Sequence, residues 1–187
     1  MIHPTSWKCG RGSTSKLISI EGIVDQGRPV FKEHPMLLKP IRVMSKAFTE
    51  RGRPEVVKID VIPITDGQSV RLTFHAAGSQ WRQGVWLATD TCIVLDGQKA
   101  QSMDVWKGAD GESVDIVCHT SNGVLWVYNI WERNGRRESQ LLSSGMLVDE
   151  QDGRRRYRCN DSGFETAFDK VVFSISYKDD AEHTRTT

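Results

Sequence analysis

From Val56 onward apolar and polar residues alternate almost one for one, and before it they do not. Val70-Arg71-Leu72-Thr73-Phe74-His75-Ala76 is apolar at every even position, with Arg71, Thr73 and His75 between; Val57, Ile59 and Val61 alternate with Lys58 and Asp60 in the same way. A period of two belongs to a strand with one face in a core and the other in water. No segment after Val56 repeats every 3.6 residues, although Ser162 to Asp169 has room for one helical turn. The pattern predicts strands nearly throughout.

Six pairs punctuate them: Asp66-Gly67, Asp96-Gly97, Asp110-Gly111, Asn122-Gly123, Asn134-Gly135 and Asp152-Gly153. Asx-Gly suits a two-residue hairpin loop, in which both central residues need positive φ. The last five in series give a meander of six antiparallel strands. Val56 to Phe74 adds a hairpin and Lys170 to Tyr177 a last strand. About nine strands predict an all-β fold, an up-and-down barrel or a two-sheet sandwich.

Two-residue loops fix the register, and the register sorts the side chains. Asp110-Gly111 sets Val105 opposite Ile116 and Met103 opposite Cys118, with Trp106 opposite Asp115, Asp104 opposite Val117 and Ser102 opposite His119 on the other face. Asn122-Gly123 then sets Cys118 opposite Val127 and Val114 opposite Trp131, with His119 opposite Trp126 and Val117 opposite Tyr128. One face, the expected core, collects Cys92, Val94, Met103, Val105, Val114, Ile116, Cys118, Leu125, Val127, Leu142, Met146, Val148, Tyr157 and Cys159. Asn129 and Gln140 fall opposite each other within it, a polar pair able to satisfy itself. The second face collects Thr89, Thr91, Ser102, Asp104, Trp106, Asp115, His119, Trp126, Tyr128, Ser139, Ser143, Arg156 and Arg158, with Val117, Ile130 and Leu141 among them.

Residues 1–54 read differently. Five of the six prolines fall there and the last is Pro63, because a ladder of central strands needs every N–H. Only Leu17–Val24 and Ile41–Phe48 look strand-like. The expected organisation is a proline-rich N-terminal arm over 1–54, an antiparallel β domain over 55–178 and a disordered tail over 179–187.

Composition narrows the function. With 25 Lys+Arg against 24 Asp+Glu the net charge is +1, so no whole-molecule field attracts a polyanion. No long apolar run reads as a membrane span, and Met1-Ile2-His3-Pro4 opens no basic and then apolar leader; the expectation is a soluble cytoplasmic protein without a membrane partner. Cys9, Cys92, Cys118 and Cys159 are too scattered for a CxxC site and read as buried free thiols. No HxH or HExxH spacing occurs, and the Asn160–Asp169 stretch lacks the acidic spacing of a calcium loop, so neither a metal nor a cofactor is expected. Turn capping by Asn160 or Asp161 is the expected use of that stretch.

The second face carries the candidate chemistry. Trp106, Trp126 and Tyr128 beside Asp104, Asp115 and His119 resemble, in kind, surfaces that hold sugars: rings stack on the apolar face of a pyranose while carboxylates and imidazole take its hydroxyls. The first reading is a non-catalytic binding module for a carbohydrate or another small polar-aromatic ligand on these six residues. An alternative is a small-molecule lyase, isomerase or hydrolase in which Asp104 and Asp115, roughly 7–8 Å apart as diagonal neighbours, work as acid and base with His119. A Ser102, His119 and Asp104 relay lacks the nucleophile elbow such a serine needs. A third reading is a protein-interaction module, with self-association into a homo-oligomer as one form. Seven arginines between Arg133 and Arg158 mix with Glu132, Glu138, Asp149, Glu150 and Asp152. Register pairs Glu150 with Arg155 and Asp149 with Arg156, a surface ion-pair ladder that disfavours nucleic acid and leaves a small anionic ligand as the other use of these residues.

Overall fold

Alternating segments become strands wherever apolar residues can face a common interior. The computed structural model describes residues 41–108, 113–165 and 167–178. In chain order they form β1 (Val43–Met44), α1 (Lys46–Thr49), β2 (Val57–Pro63), β3 (Gln68–Ala76), β4 (Arg82–Leu95), β5 (Gln98–Trp106), β6 (Ser113–His119), β7 (Val124–Arg133), β8 (Arg136–Ser139), β9 (Gly145–Gln151), β10 (Arg154–Asn160) and β11 (Val171–Tyr177). Eight of them close an antiparallel barrel in the order β2, β9, β10, β11, β3, β6, β4, β7, with β7 returning to β2. The all-β expectation holds, and the barrel is chosen over the sandwich. β1, β5 and β8 extend the edges of β2, β4 and β7.

Turn chemistry sorts the Asx-Gly pairs into two kinds. Asp96-Gly97, Asn134-Gly135 and Asp152-Gly153 have positive φ at both residues (50° and 76°, 53° and 71°, 50° and 71°), the requirement of a type I′ loop. These three are the hairpins: they set Leu95 opposite Gln98, Arg133 opposite Arg136 and Gln151 opposite Arg154. At Asp66-Gly67 and Asn122-Gly123 only the glycine has positive φ, at 77° and 74°. Neither turn joins paired strands. β2 runs on into β3, and opposite them β6 runs on into β7, so that Asp60–Pro63 pairs with Val127–Val124 and Gln68–Thr73 pairs with Cys118–Ser113. The two turns are facing bends in one long double-stranded ribbon, joined by Ile64 N–H to Gly123 O and Gly67 N–H to Cys118 O, both at 2.9 Å.

Those bends overturn part of the expected register. β6 pairs with β3 and the end of β4, and β5 pairs with β4. Val105 therefore does not face Ile116, Cys118 does not face Val127, and the Val56–Phe74 hairpin does not form. Asp110-Gly111 lies outside the described residues, as do the proline-rich stretch 1–40 with its Leu17–Val24 segment and the 179–187 tail. Ile41–Phe48 is strand only at Val43–Met44 before turning into α1, and the described part of Ser162–Asp169 is not helical.

The inward face matches the sequence sorting more closely than the pairing does. Val85, Leu87, Ile116, Cys118, Leu125, Val127, Tyr157 and Cys159 are fully buried, while Met103, Val114 and Val148 are partly covered. β4 shifts register between Ala88 and Ile93, so Ile93 turns inward and Cys92 and Val94, expected in the core, fall on the other face opposite His119 and Val117. Each aliphatic side chain taken fully from water contributes about 1.5–3 kcal/mol. Tyr157 stacks on Phe173 with centroids 4.5 Å apart. Leu142 is a further exception, 78% exposed, because Gln140 takes φ 56° and ends the strand register after Ser139. That turn also separates Asn129 from Gln140: Asn129 Nδ2 donates to Asn160 O at 3.1 Å and Gln140 Nε2 to Lys58 O at 3.1 Å. Cys118 and Cys159 are buried free thiols, burial pushing Cys118 up to about 12, whereas Cys92 is buried but disulfide-bonded rather than free. Among the described residues, no helix is long and apolar enough to cross a membrane.

Among the described residues the interior holds one fully buried carboxylate, Asp60, which the alternation with Ile59 and Val61 sets on the water face; opposite Val127 it turns inward together with Ile62, because three side-chain donors meet it there. Asp60 accepts from Tyr157 Oη at 2.8 Å and Arg155 Nη1 at 3.0 Å on Oδ2, and from Arg42 Nε at 2.6 Å on Oδ1. Burial and then the Asp60 carboxylate push the Tyr157 phenol well above its ordinary range, so it stays a donor.

Candidate functional site

β5, β4, β7 and β8 lie side by side, and their inward residues Val85, Leu87, Val105, Leu125 and Val127 force the alternate residues outward. Register then lines up the aromatic residues. Trp86 sits between Asp104 and Tyr128, Ala88 between Ser102 and Trp126, and Gly84 between Trp106 and Ile130. The Trp86 and Tyr128 rings stack with centroids 4.4 Å apart and planes 18° from parallel. Trp106 lies across Gly84: a Cβ there would come within 2.9 Å of Trp106 Cε3 and 2.8 Å of Val105 O, so only glycine lets the indole down onto the sheet. Ile130, on the other side of Gly84, is fully buried, and the Arg82 guanidinium stands 5.0 Å from the Trp106 ring centroid. Trp86, Trp106, Trp126 and Tyr128 all remain partly exposed.

An ion pair lies beside the stack. Arg137 of β8 grips Asp104 of β5 in two parallel bonds, Nε to Oδ2 at 2.6 Å and Nη2 to Oδ1 at 2.9 Å, with Nη2 also 3.5 Å from Tyr128 Oη. Burial works against the Arg137 charge, but hydrogen bonds to Asp104 and Tyr128 outweigh it and raise its pKa. A carboxylate has about four lone-pair directions, so Asp104 keeps acceptors for a ligand hydroxyl after Arg137 has taken two.

Four of the six expected site residues thus share one surface: Asp104, Trp106, Trp126 and Tyr128. Asp115 and His119 do not join them. Asp104 pairs at Trp86, near the start of β4, whereas β6 reaches β4 only at its far end, where Cys92 faces His119 and Val94 faces Val117. Asp115 is held by Arg71 at 2.7 and 2.9 Å and by Lys178 at 3.0 Å, and the Arg71 bonds foremost draw its pKa well below the usual carboxylate range. His119 Nδ1 lies 3.2 Å from Asp66 Oδ1, within the bend that Asp66 and Asp90 tie together through Thr120 and Ser121. Neither the two-aspartate acid/base pair nor the Ser102, His119 and Asp104 relay is assembled, Ser102 facing Ala88 instead.

Two members of the surface escaped the sequence reading. Trp86 alternates with Val85 and Leu87 and was legible as outward; Arg137 follows from the Asn134-Gly135 register, but its link to Asp104 crosses two intervening strands. A second polar locus, a cleft of about 290 Å³, opens between the β3–β4 connection and the β10–β11 loop. Asp161 there is already bound by Ser79 Oγ, Gln83 Nε2 and Ser162 N–H, the expected turn capping. Among the described residues no group of His, Cys, Asp and Glu is placed to hold a metal ion.

No protein-family model matches the chain, and no curated protein matches it. Among solved structures, a lectin of Chromobacterium violaceum in complex with α-methyl-fucoside is similar over 63% of this chain and 93% of its own, at 13% sequence identity and a TM-score of 0.35. No ligand is carried over from it; the ligand class rests on side chains alone.

Proposed function

We propose that the outward face of β5, β4, β7 and β8 binds carbohydrate without transforming it. The supporting observation is the partly exposed Trp86–Tyr128 stack beside the two-pronged Asp104–Arg137 pair. Aromatic rings offer the C–H face of a pyranose a flat apolar partner, while a carboxylate and a guanidinium held in one plane accept from and donate to adjacent hydroxyls. Trp126 and Trp106 flank the stack at positions four residues apart along β4, about 13 Å of strand, which suits a chain of sugars rather than one ring. Binding is favoured over chemistry because the two carboxylates of the acid/base alternative stand on separate parts of the barrel, each committed to an arginine.

A thermal-shift screen over neutral oligosaccharides tests this, repeated on Trp126→Ala, Asp104→Asn and Asp115→Asn. At least one glycan is expected to raise the wild-type Tm, with affinity falling tenfold or more in the first two variants and unchanged in the third. Equal shifts in all four proteins would place the site elsewhere, and a monomer–dimer shift lost in Trp126→Ala would instead support the interaction-module reading.

A further inference from the structure

We propose that the outer surface of β9 and β10, backed by β11 and β3, carries a second site, for the oxyanion of a phosphate or sulfate ester whose organic part bears hydroxyl groups. Register sets Arg156, Ser174 and Thr73 in one row across β10, β11 and β3 and Arg154, Ser176 and Arg71 in the next. Ser174, 2% exposed, and Thr73, bonded to Ser113 Oγ at 2.8 Å, support the arginines from one side rather than offering donors to a ligand. Nothing in the aromatic face uses these arginines.

The ion-pair ladder expected from the sequence is only half built. Arg155 reaches Glu150 at 3.4 Å, but Asp149, which lies opposite Arg156, is engaged by Arg158 at 3.5 Å. Arg154 spends its Nη2 on two neutral partners, Ser174 Oγ at 2.9 Å and His75 Nε2 at 3.1 Å. Among the described residues neither Arg154 nor Arg156 has a carboxylate within ion-pair distance. Two neighbouring guanidinium forks that make no direct ion pair among the described residues, with carboxylates only across the cleft, suit an oxyanion placed between them.

The surroundings are built rather than incidental. Ser174 is 2% exposed, and its Oγ lies 2.9 Å from His75 Nε2 as well as beside Arg154, so the guanidinium is held in place from beneath. His75 sits below the ordinary histidine range, through burial and then through the charges of Arg154 and Arg156, which keeps its Nε2 an acceptor toward Arg154. A cleft of about 470 Å³ opens beside the two arginines, its remaining wall formed by Asp149, Gln151 and Asp152. That volume exceeds what a bare oxyanion fills. An anionic group at Arg154 and Arg156 with hydroxyls toward the aspartates and Gln151 satisfies both ends, which is the chemistry of a sugar phosphate or sulfate.

The test is direct titration of the whole chain by calorimetry with inorganic phosphate, inorganic sulfate, a hexose 6-phosphate, a hexose 6-sulfate and the free hexose, at matched ionic strength. Saturable binding of the oxyanions is expected, tenfold or more tighter for a hexose ester, with the better of the two esters identifying the source. Arg156→Gln is expected to weaken every oxyanion at least tenfold, while Arg136→Gln on β8 and Trp126→Ala leave them unchanged. Arg156 is exposed, so its variant folds; urea melts of each variant verify this. No binding beyond that of sodium chloride, or equal losses in Arg136→Gln and Arg156→Gln, would overturn the site. Equal affinity for hexose esters and inorganic oxyanions would overturn the role given to the aspartate wall. Because Trp126→Ala separates the two surfaces, failure here leaves the glycan reading standing, and the reverse also holds.

Discussion

The barrel contains the same three side chains twice, once sealed and once open. Asp60, Arg155 and Tyr157 meet in the interior, with Asp60 fully buried; Asp104, Arg137 and Tyr128 meet on the outer face, with Asp104 exposed. Inside, Arg42 closes the remaining oxygen, so both oxygens of the buried carboxylate are taken by side-chain donors. Outside, solvent screens the pair and spare lone pairs remain. The trio that holds the fold has no capacity for a ligand, and the trio with capacity for a ligand contributes little to the fold.

The largest effect should come from the sealed trio. Asp60→Asn leaves the Arg155 and Arg42 guanidinium groups facing a buried neutral amide, with the exposed Glu150 as their remaining anion, and urea denaturation is expected to show a loss of about 3 kcal/mol; a loss under ~1 kcal/mol would make the two trios alike. Gly84→Ala comes next. Its methyl group meets backbone at Val105 O as well as Trp106, so about 1–3 kcal/mol is expected from overpacking, together with a red-shifted, more exposed tryptophan emission as the indole lifts. Asp104→Asn should cost less than about 1 kcal/mol in the same melt while abolishing glycan binding. Joint loss of both would show that the open trio is structural too.

Asp115 supplies the smallest effect and a pH signature. Its folded pKa lies below the unfolded value, with Arg71 as the first cause, so the stability it adds is present above about pH 4 and is lost as pH falls through the lowered folded value. Asp115→Asn is expected to lower stability at pH 7 by less than about 1 kcal/mol and to flatten the decline below pH 4. An unchanged acid limb would remove Asp115 from the account.

How far the sequence reached depended on whether a turn was governed locally. At Asp96-Gly97, Asn134-Gly135 and Asp152-Gly153 the two-residue loop itself demands positive φ, so hairpin, register and the Glu150–Arg155 pair were all legible. Asp66-Gly67 and Asn122-Gly123 carry the same dipeptides but are bent by each other: Asp66 Oδ1 accepts from Thr120 N–H at 3.0 Å and Asp90 Oδ1 from Ser121 N–H at 3.0 Å, contacts between segments far apart in the chain. No local rule separates the two kinds. Inward and outward sorting survived in β5, β7, β9 and β10, where parity runs unbroken along the strand, so Trp106, Trp126, Tyr128 and Asp104 reached one surface. It failed in β2, where Asp60 and Ile62 point inward, and past the β4 register shift, where Ile93 does. Asp115 and His119, placed beside the aromatic residues only by pairing β6 with β5 or β7, did not join them.

β11 has a further consequence, in time rather than in space. Among the described residues it is the last strand in sequence, and it fills the gap between β10 and β3, so that Phe173 meets Phe74 across about a hundred residues of chain. Until Val171–Tyr177 has been synthesised, β3 and β10 each present an unpaired edge and the ring stands open. Closure must therefore wait for β11, a high-contact-order step that slows folding and leaves two open edges exposed to edge-to-edge association until it is made.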